Sequence, residues 1–249
     1  MSQQVVAIIQ ARMGSTRLPG KVMLPLAAEH ALSHTIRRVK STEYVTKTMV
    51  ATSKRTADDI VARYAVRSGA DVFRGSESDV LGRIHDAACS ANADVIVRIT
   101  GDCPLIDPVT IDTAVQEILD GDTQYAANIF DRTFPRGLDV EVFTFESFER
   151  VHEEATEPHH REHVTPYYRE QEDVFSTESV TSEDVFDEPQ FQNRGDLRLT
   201  LDEADDYEVL RTIYENVPFD DILPTREAIR YVDENDLMEL NADVEQKSH

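Results

Sequence analysis

Three cations lie within ten residues in the segment Gln10-Ala-Arg-Met-Gly-Ser-Thr-Arg-Leu-Pro-Gly-Lys21, which contains two glycines and no acid. Glycine lets backbone N–H groups approach an anion closely, and Arg12, Arg17 and Lys21 could neutralise phosphate charge. The spacing differs from a Walker loop, because five residues separate the glycines and Val22 follows the lysine. We interpret the segment as a phosphate-binding loop of another type. The alternative is a surface loop with ordinary basic residues.

A second motif, Thr100-Gly-Asp-Cys-Pro-Leu105, follows a hydrophobic run at residues 94–99. A carboxylate at that position, Asp102, could hold Mg²⁺ against a triphosphate, because Mg²⁺ prefers hard oxygen ligands. The alternative is that Asp102 caps a helix or closes a turn. We expect the neighbouring Cys103 to be a buried small residue, because no histidine is placed in sequence to activate its thiol.

The net charge of −23 is unusual, with 25 Lys and Arg against 48 Asp and Glu, and only five of the cations are lysines. A duplex-binding protein normally presents a basic face, so we expect no nucleic-acid partner and no binding to anionic membranes. A lysine-poor, carboxylate-rich surface suits a salt-rich cytoplasm, where repulsion between charges is screened. An acidic protein without salt adaptation is the alternative.

Two cysteines, Cys89 and Cys103, make no disulfide framework. The apolar runs are too short to span a membrane. The first ten residues have no basic stretch before their apolar residues, so they do not read as a signal peptide. We therefore expect a protein of the reducing cytoplasm.

The first half of the chain alternates between short apolar runs and segments with helical spacing. The runs at residues 5–11, 48–52, 71–73 and 94–99 predict buried strands, and the segments 31–40, 56–68, 78–91 and 107–119 predict helices. Such alternation is typical of a parallel sheet with crossover helices. Ligands of such sheets bind at the carboxyl ends of the strands, where both motifs lie.

The pattern is looser in the second half. Strands of mixed direction are predicted at 125–128, 139–144 and 174–180, an exposed acidic loop at 183–196, a strand returning to the main sheet at 197–201, and helices at 203–214 and 225–234. We therefore expect an α/β fold with a mainly parallel, Rossmann-like sheet and an inserted, partly antiparallel arm at about 125–196. Residues 1–240 would form one domain and 241–249 a polar, frayed tail.

The loop string ARMGSTRLPGK resembles the signature of the cytidylyltransferases that activate acidic sugars, which include CMP-KDO and CMP-sialic acid synthetases. Gln10 makes it most similar to the spore coat polysaccharide biosynthesis branch. The resemblance covers about residues 4–235 and extends in order through 73–84 (FRGSESDVLGRI), 97–108 (VRITGDCPLIDP), 134–143 (FPRGLDVEVF), 161–167 (REHVTPY) and 198–206 (RLTLDEADD). It implies a nucleotide-diphospho-sugar transferase type of fold and the reaction of CTP with a sugar acid to CMP-sugar and pyrophosphate.

The resemblance also implies roles for individual residues. The catalytic residues would be Arg12, Lys21 and Asp102, and Mg²⁺ would be held by Asp102 and Asp202. Nucleotide would be bound by Gln10, Ala11, Arg12, Gly14, Ser15, Lys21, Ser76, Asp79 and Arg83. The sugar would be bound by Arg136, Asp139, Glu141, Arg161 and His163. A homodimer is expected.

Other interpretations of these residues remain open at this stage. Ser76 or Ser78 could simply start a helix, Thr200 or Asp202 could cap one, and the 136–163 group could be a salt-bridged dimer arm. A zinc site at His159 and His160 has no second ligand cluster in the sequence. A glycosyltransferase would need a D-x-D metal motif, which Asp139-Val140-Glu141 only imitates. A non-catalytic nucleotide-binding subunit would be expected to lack Lys21, Asp102 or Asp202.

Overall fold

A computed structural model of the chain describes residues 3–171 and 173–244. Their main sheet has seven strands in the order β5-β4-β1-β6-β8-β7-β9. The strands, with a separate hairpin β2–β3, are β1 Val5–Gln10, β2 Pro25–Leu26, β3 Glu29–His30, β4 Lys47–Ser53, β5 Asp71–Gly75, β6 Val95–Thr100, β7 Tyr125–Ala127, β8 Glu141–Thr144 and β9 Thr177–Ser179. β8 runs antiparallel to β6 and β7, and the other pairs of the main sheet are parallel.

Helices cover both faces of this sheet. They are α1 Ala31–Lys40, α2 Asp59–Arg67, α3 Val80–Ala91, α4 Pro108–Leu119, α5 Phe145–Glu154, α6 Pro158–His163, α7 Pro166–Glu170, α8 Ala204–Asn216 and α9 Thr225–Glu234. None of the helices in the described parts of the chain combines the length and apolar character that a membrane crossing requires.

Burial on both faces explains why the central strands are continuous apolar runs. In β1 the alternate residues Val5, Ala7 and Ile9 pack into one core cluster, and Val6 and Ile8 pack into the other. β4 and β6 divide their side chains in the same way. The α/β fold with a mainly parallel sheet, predicted from the sequence, is confirmed.

Local signals set the helix starts of the first half within a few residues of the prediction. Asp107 caps α4 by accepting a hydrogen bond from the N–H of Thr110 at 2.9 Å, and Pro108 occupies the first turn. The helix predicted from residue 56 begins instead as a 3-10 turn, Thr56–Asp58, before α2. Asp79 caps α3, so neither Ser76 nor Ser78 does.

The segment 125–196 contains three helices that the sequence analysis did not predict, α5, α6 and α7. Its strands β7, β8 and β9 extend the main sheet beyond β6. The segment 183–196 is more than an exposed loop, because Phe186 and Phe191 are each only 1% exposed and belong to the core. The acidic residues around Phe186 and Phe191 led to the prediction that the whole segment is exposed.

The strand predicted at 197–201 does not join the main sheet. Its ladder contact is an isolated parallel bridge between Arg198 and Arg136. The alternating pattern is real, because Leu197, Leu199 and Leu201 are buried. These leucines pack into the core, but the segment that carries them is not a strand of the main sheet. The alternation of apolar and polar residues therefore correctly indicated that one face of the segment is buried, but not that it pairs with another strand.

The charge of −23 leads to a prediction about stability. We expect the melting temperature to rise by many degrees between dilute buffer and molar KCl. The reason is that repulsion between carboxylates weakens as the Debye length shrinks to about 3 Å at 1 M salt. Thermal melts followed by circular dichroism across a KCl series would check this. A melting temperature independent of salt would contradict salt adaptation.

Candidate active site

A cavity of about 740 Å³ opens at the carboxyl ends of β1 and β6. Gln10 and Thr100 are paired in register, so the two loops that follow these strands start side by side. The Gly101 N–H donates to the Gln10 carbonyl at 2.9 Å. A Cβ at Gly101 would lie 2.9 Å from that of Ala11, so glycine is needed for this close approach.

The cavity wall is basic, in contrast to the whole chain. Eight Lys or Arg side chains and five carboxylates line it. Its lining is Gln10, Ala11, Arg12, Gly14–Arg17, Lys21, Val22, Val80, Arg83, Arg98, Thr100–Cys103, Ile129, Arg132, Arg136, Gly137, Asp139, Glu141, Glu162, His163, Thr165, Pro166, Arg169, Thr200 and Asp202. A net positive cavity in so acidic a protein favours an anionic ligand.

The basic loop is held in place from the α2 side. The buried carboxylate of Asp58 accepts a hydrogen bond from the Met13 N–H at 2.7 Å and another from the Ser53 hydroxyl. Met13 in turn accepts the Gly20 N–H at 3.0 Å, which closes the loop on itself. The loop thereby delivers Lys21, at the start of a 3-10 turn, into the cavity.

One ammonium group joins the two predicted metal ligands. Lys21 Nζ donates to Asp102 Oδ2 and lies 2.6 Å from Asp202 Oδ1. Arg17 and Arg198 each contact Asp202 as well, at 3.1 Å. Two carboxylates that are 100 residues apart in sequence therefore face one point beside the basic loop.

Burial acts to lower the pKa of Lys21, but the charges of Asp102 and Asp202 outweigh it, so the net pKa is raised. For Asp202, burial acts to raise the pKa, and the nearby Lys21, Arg17 and Arg198 lower it overall. Each group therefore holds its charge at neutral pH. The pKa of Arg83 is lowered to about 10, mainly by burial and to a smaller extent by the positive charge of Arg12.

The segment 197–202 reaches the cavity through backbone contacts. The Leu201 N–H donates to the Asp102 carbonyl at 3.0 Å, which sets Asp202 beside Asp102. Glu203 and Asp206 form a capping box at the start of α8, so Asp202 is not the helix cap. Arg198 donates to Asp206 from Nε at 2.8 Å and so anchors this corner.

Gly137 makes room for that segment. Its φ is +97°, and a Cβ there would lie 2.5 Å from the backbone of Leu199 and Thr200. We expect Gly137→Ala to displace the 199–202 backbone, to lower the melting temperature and to cost most of the activity, because L residues rarely adopt this φ and the added Cβ would clash with that backbone. Melting curves and turnover would measure both effects. Gly121→Ala, where the added Cβ meets nothing closer than 3.4 Å, is the matched control. Wild-type turnover in Gly137→Ala would contradict the proposed positioning.

A profile of the cytidylyltransferase family matches residues 6–241, which is nearly the whole chain. The chain belongs to the cytidylyltransferase family. It is a nucleotidyltransferase, and the basic cavity is where a nucleotide-transfer site of this sheet is expected.

Individual relatives agree with the family match. A cytidylyltransferase of known structure from Leptospira borgpetersenii is 34% identical, with a TM-score of 0.87 over 99% of this chain and 100% of the other. The spore coat polysaccharide biosynthesis protein SpsF of Bacillus subtilis is 33% identical over 218 residues, covering 85% of this chain and 86% of its own. The 3-deoxy-manno-octulosonate cytidylyltransferase of Solibacter usitatus is 40% identical over 118 residues, covering 46% and 45%. The predicted resemblance is confirmed.

Three cavity arginines of this cytidylyltransferase have no carboxylate partner. Within the described residues, Arg12, Arg136 and Arg169 form no ion pair and no side-chain hydrogen bond, although 48 acids are present in the sequence. Many other arginines, such as Arg74 with Asp59 at 2.5 Å, are paired. Cations left unpaired in a cavity are available to a bound anion.

Most of the predicted residues of this cytidylyltransferase come together. The cavity contains Gln10, Ala11, Arg12, Gly14, Ser15, Lys21, Arg83, Asp102, Arg136, Asp139, Glu141, His163 and Asp202. The structure does not place Ser76, Asp79 or Arg161 in its wall. Arg161 instead donates to Asp79 at 2.6 Å, and the Ser76 hydroxyl accepts the Asp79 N–H at 3.1 Å. These three residues form the start of α3 and its contact with α6.

Asp139 and Glu141 do not share a strand, because β8 begins at Glu141. Asp139 pairs with Arg132 at 2.5 Å. The Glu141 carboxylate receives hydrogen bonds from Arg98, Tyr125 and Thr165, so its oxygens are already engaged. Glu141 therefore anchors Arg98 at the cavity floor.

Among the polar residues of the cytidylyltransferase cavity, the sequence analysis gave no role to Arg98, Arg132, Thr165 or Arg169. The sequence did contain a signal for Arg98. An arginine inside an apolar strand, two residues before the carboxyl end of that strand, needs a charged or polar partner nearby, which indicates a polar site. Arg169 had no such signal, because α7 was not predicted. Cys103 is 2% exposed, as expected, and burial raises the pKa of its thiol well above the ordinary range.

Proposed function

We propose that this enzyme transfers CMP from CTP to a hydroxyl of a sugar acid, releasing pyrophosphate, for the biosynthesis of a surface polysaccharide or glycoconjugate. The observation that carries the proposal is the meeting of Lys21 with Asp102 and Asp202 beside the basic loop. The relatives named for spore coat polysaccharide biosynthesis and for 3-deoxy-manno-octulosonate, a sugar acid, support the substrate class.

The triphosphate would lie against the basic loop. Over residues 3–171 and 173–244, Arg12 has no carboxylate partner, and Lys21 is the cation nearest to the paired carboxylates. These side chains would hold the β- and γ-phosphate charge while the sugar hydroxyl attacks the α-phosphorus in line with the departing pyrophosphate. Such catalysis depends on positioning and charge neutralisation, and it requires no covalent intermediate.

The residues fit a divalent cation. Asp102 and Asp202 are each 19% exposed, offer hard oxygen atoms and face one shared point. Mg²⁺ binds through one or two protein carboxylates and completes its octahedron with phosphate oxygens and water. When bound there, Mg²⁺ would supply charge neutralisation at the α-phosphate.

The second substrate would occupy the same cavity, whose wall includes Arg136 and Arg169, two arginines without a carboxylate partner among the described residues. Two free guanidinium groups suit the carboxylate of a sugar acid, which can bind arginine through two hydrogen bonds. His163 and Asp139 also line the cavity. The predicted homodimer stays a proposal, which light scattering of the purified protein would test.

A glycosyltransferase is less well supported. Its metal would need the Asp139-Val140-Glu141 imitation of D-x-D, and Glu141 is engaged by Arg98, Tyr125 and Thr165. A non-catalytic subunit is disfavoured because Lys21, Asp102 and Asp202 are all present and in contact.

Release of pyrophosphate tests the proposal directly. The protein would be incubated with Mg²⁺, each of the four NTPs and a panel of sugars that differ only in carrying a carboxylate or an alcohol. We expect pyrophosphate with CTP and sugar acids. Equal release with UTP, or with the matched neutral sugars, would contradict the proposed substrate classes, and hydrolysis of a nucleotide-sugar donor would favour a glycosyltransferase.

A further inference from the structure

Two adjacent histidines and a glutamate meet outside the cavity. His159 Nε2 lies 2.9 Å from Glu170 Oε1, and His160 Nε2 lies 2.7 Å from Glu170 Oε2. One ligand atom from each of the three residues can be chosen so that all lie within 4.8 Å of one another. The histidines are in the first turn of α6, and Glu170 is the last residue of α7.

The two helices are folded back on each other by a turn that fixes this meeting. Val164, between them, has a φ of +77°, and the helices begin with Pro158 and Pro166. His160 is only 4% exposed, and its ring packs edge-on against Tyr167. One imidazole is therefore already oriented toward Glu170, so little ordering is needed to complete the cluster.

We propose that His159, His160 and Glu170 form a binding site for a divalent transition metal such as Zn²⁺. Imidazole nitrogen and carboxylate oxygen are the ligands that Zn²⁺ takes at about 2.0–2.2 Å, and three protein ligands leave a fourth position for water. A tetrahedral ion at those bond lengths needs ligand atoms roughly 3.4 Å apart. To reach that spacing, the hydrogen bonds of 2.9 and 2.7 Å would lengthen slightly, and any separation nearer the 4.8 Å limit would shorten.

This site differs in chemistry from the paired carboxylates of the cavity. Asp102 and Asp202 offer only hard oxygen atoms, which suit Mg²⁺, whereas two imidazoles favour zinc, nickel or copper. The metal would bridge α6 and α7. These helices and the turn between them supply Glu162, Thr165 and Arg169 to the cavity wall. Its binding would therefore stiffen the part of the cavity wall that these residues form.

One feature limits the affinity. His160 Nδ1 is buried and has no hydrogen-bond partner in the part of the chain that the structure describes. A metal on Nε2 places the ring proton on Nδ1, where no acceptor waits for it. A hydrogen-bond acceptor for the second ring nitrogen of a metal-bound histidine typically increases metal affinity by about 10- to 100-fold. We therefore expect binding in the micromolar rather than the nanomolar range.

Zinc titration of the full, untagged chain after treatment with a chelator tests the proposal. Calorimetry should show one Zn²⁺ per chain at this site, and Co²⁺ in its place should give a visible ligand-field spectrum. Glu170→Gln and His159→Asn should each weaken binding by about 100-fold, since each removes a direct ligand. Both side chains are about half exposed, so these variants should fold even if His160→Asn does not.

Two controls separate this site from other metal-binding groups. His85→Asn removes a histidine that stacks on His152 elsewhere in the molecule, and it should bind zinc as the wild type does. Asp102→Asn should also retain zinc binding, because it alters only the cavity. Absence of stoichiometric zinc binding below about 100 µM, or unchanged affinity in Glu170→Gln, would overturn the proposal.

Discussion

Lys21→Met is expected to change catalysis and metal binding in opposite directions. Turnover should fall by about 30- to 1000-fold, because a charged contact to phosphate is worth roughly 2–4 kcal/mol. Affinity for Mn²⁺ without nucleotide should rise by about tenfold, because the ammonium that now neutralises Asp102 and Asp202 is gone. Steady-state rates and Mn²⁺ binding by electron paramagnetic resonance measure the two effects.

Damage to the fold would lower both turnover and Mn²⁺ affinity. A fall in turnover together with a rise in Mn²⁺ affinity would therefore indicate the loss of the ammonium group itself. Lys54→Met, at an exposed position outside the cavity, is the matched control and should leave both unchanged. Arg12→Ala should lose turnover similarly without the gain in metal affinity, since the described cations that contact Asp102 or Asp202 are Lys21, Arg17 and Arg198. Near-wild-type rates in both the Lys21 and the Arg12 variants would contradict the assignment of the phosphate loop.

Asp102→Asn and Asp202→Asn should each abolish most of the turnover while CTP still binds in the presence of a chelator. Because both carboxylates face one point, each is expected to serve the same ion, and the double variant should be little slower than the slower single one. Tight metal binding should require CTP, since two carboxylates alone hold Mg²⁺ weakly. Turnover measurements and calorimetry with and without CTP provide the test.

Asp205→Asn is the matched control for this set. Asp205 is exposed in the first turn of α8, three residues after Asp202, and lies outside the cavity. It should keep full activity. Fully multiplicative losses in the double variant would show that the two carboxylates act independently, and the shared metal site would then be wrong.

The site could be predicted from sequence where it depends on strand ends. Gln10 and Thr100 close two apolar strands, and parallel strands end at the same edge of the sheet, so the basic loop and Asp102 had to be neighbours. The strand and helix pattern of the first half is a local property, because alternating burial and capping residues act within a few positions. That pattern indicated the fold class and the strand ends at which the cavity opens.

Asp202 shows where local pattern stops being sufficient. Family resemblance named the residue, but the predicted strand at 197–201 does not exist in the main sheet. The residue reaches Asp102 because Leu201 donates to the Asp102 carbonyl and Gly137 leaves space for the passing backbone. Neither contact follows from periodicity, since each joins residues far apart in the chain.

By itself, the sequence determined the parallel α/β core, the basic character of residues 10–21 and the position of a carboxylate after β6, because apolar periodicity and strand polarity dictate where these segments lie. Only the tertiary structure decided that Arg161 turns away to Asp79, that Glu141 is engaged by Arg98, and that Arg169 enters the cavity. These outcomes depend on which charges lie within reach after the helices pack. Packing brings together side chains whose separation in the chain says nothing about their distance in space.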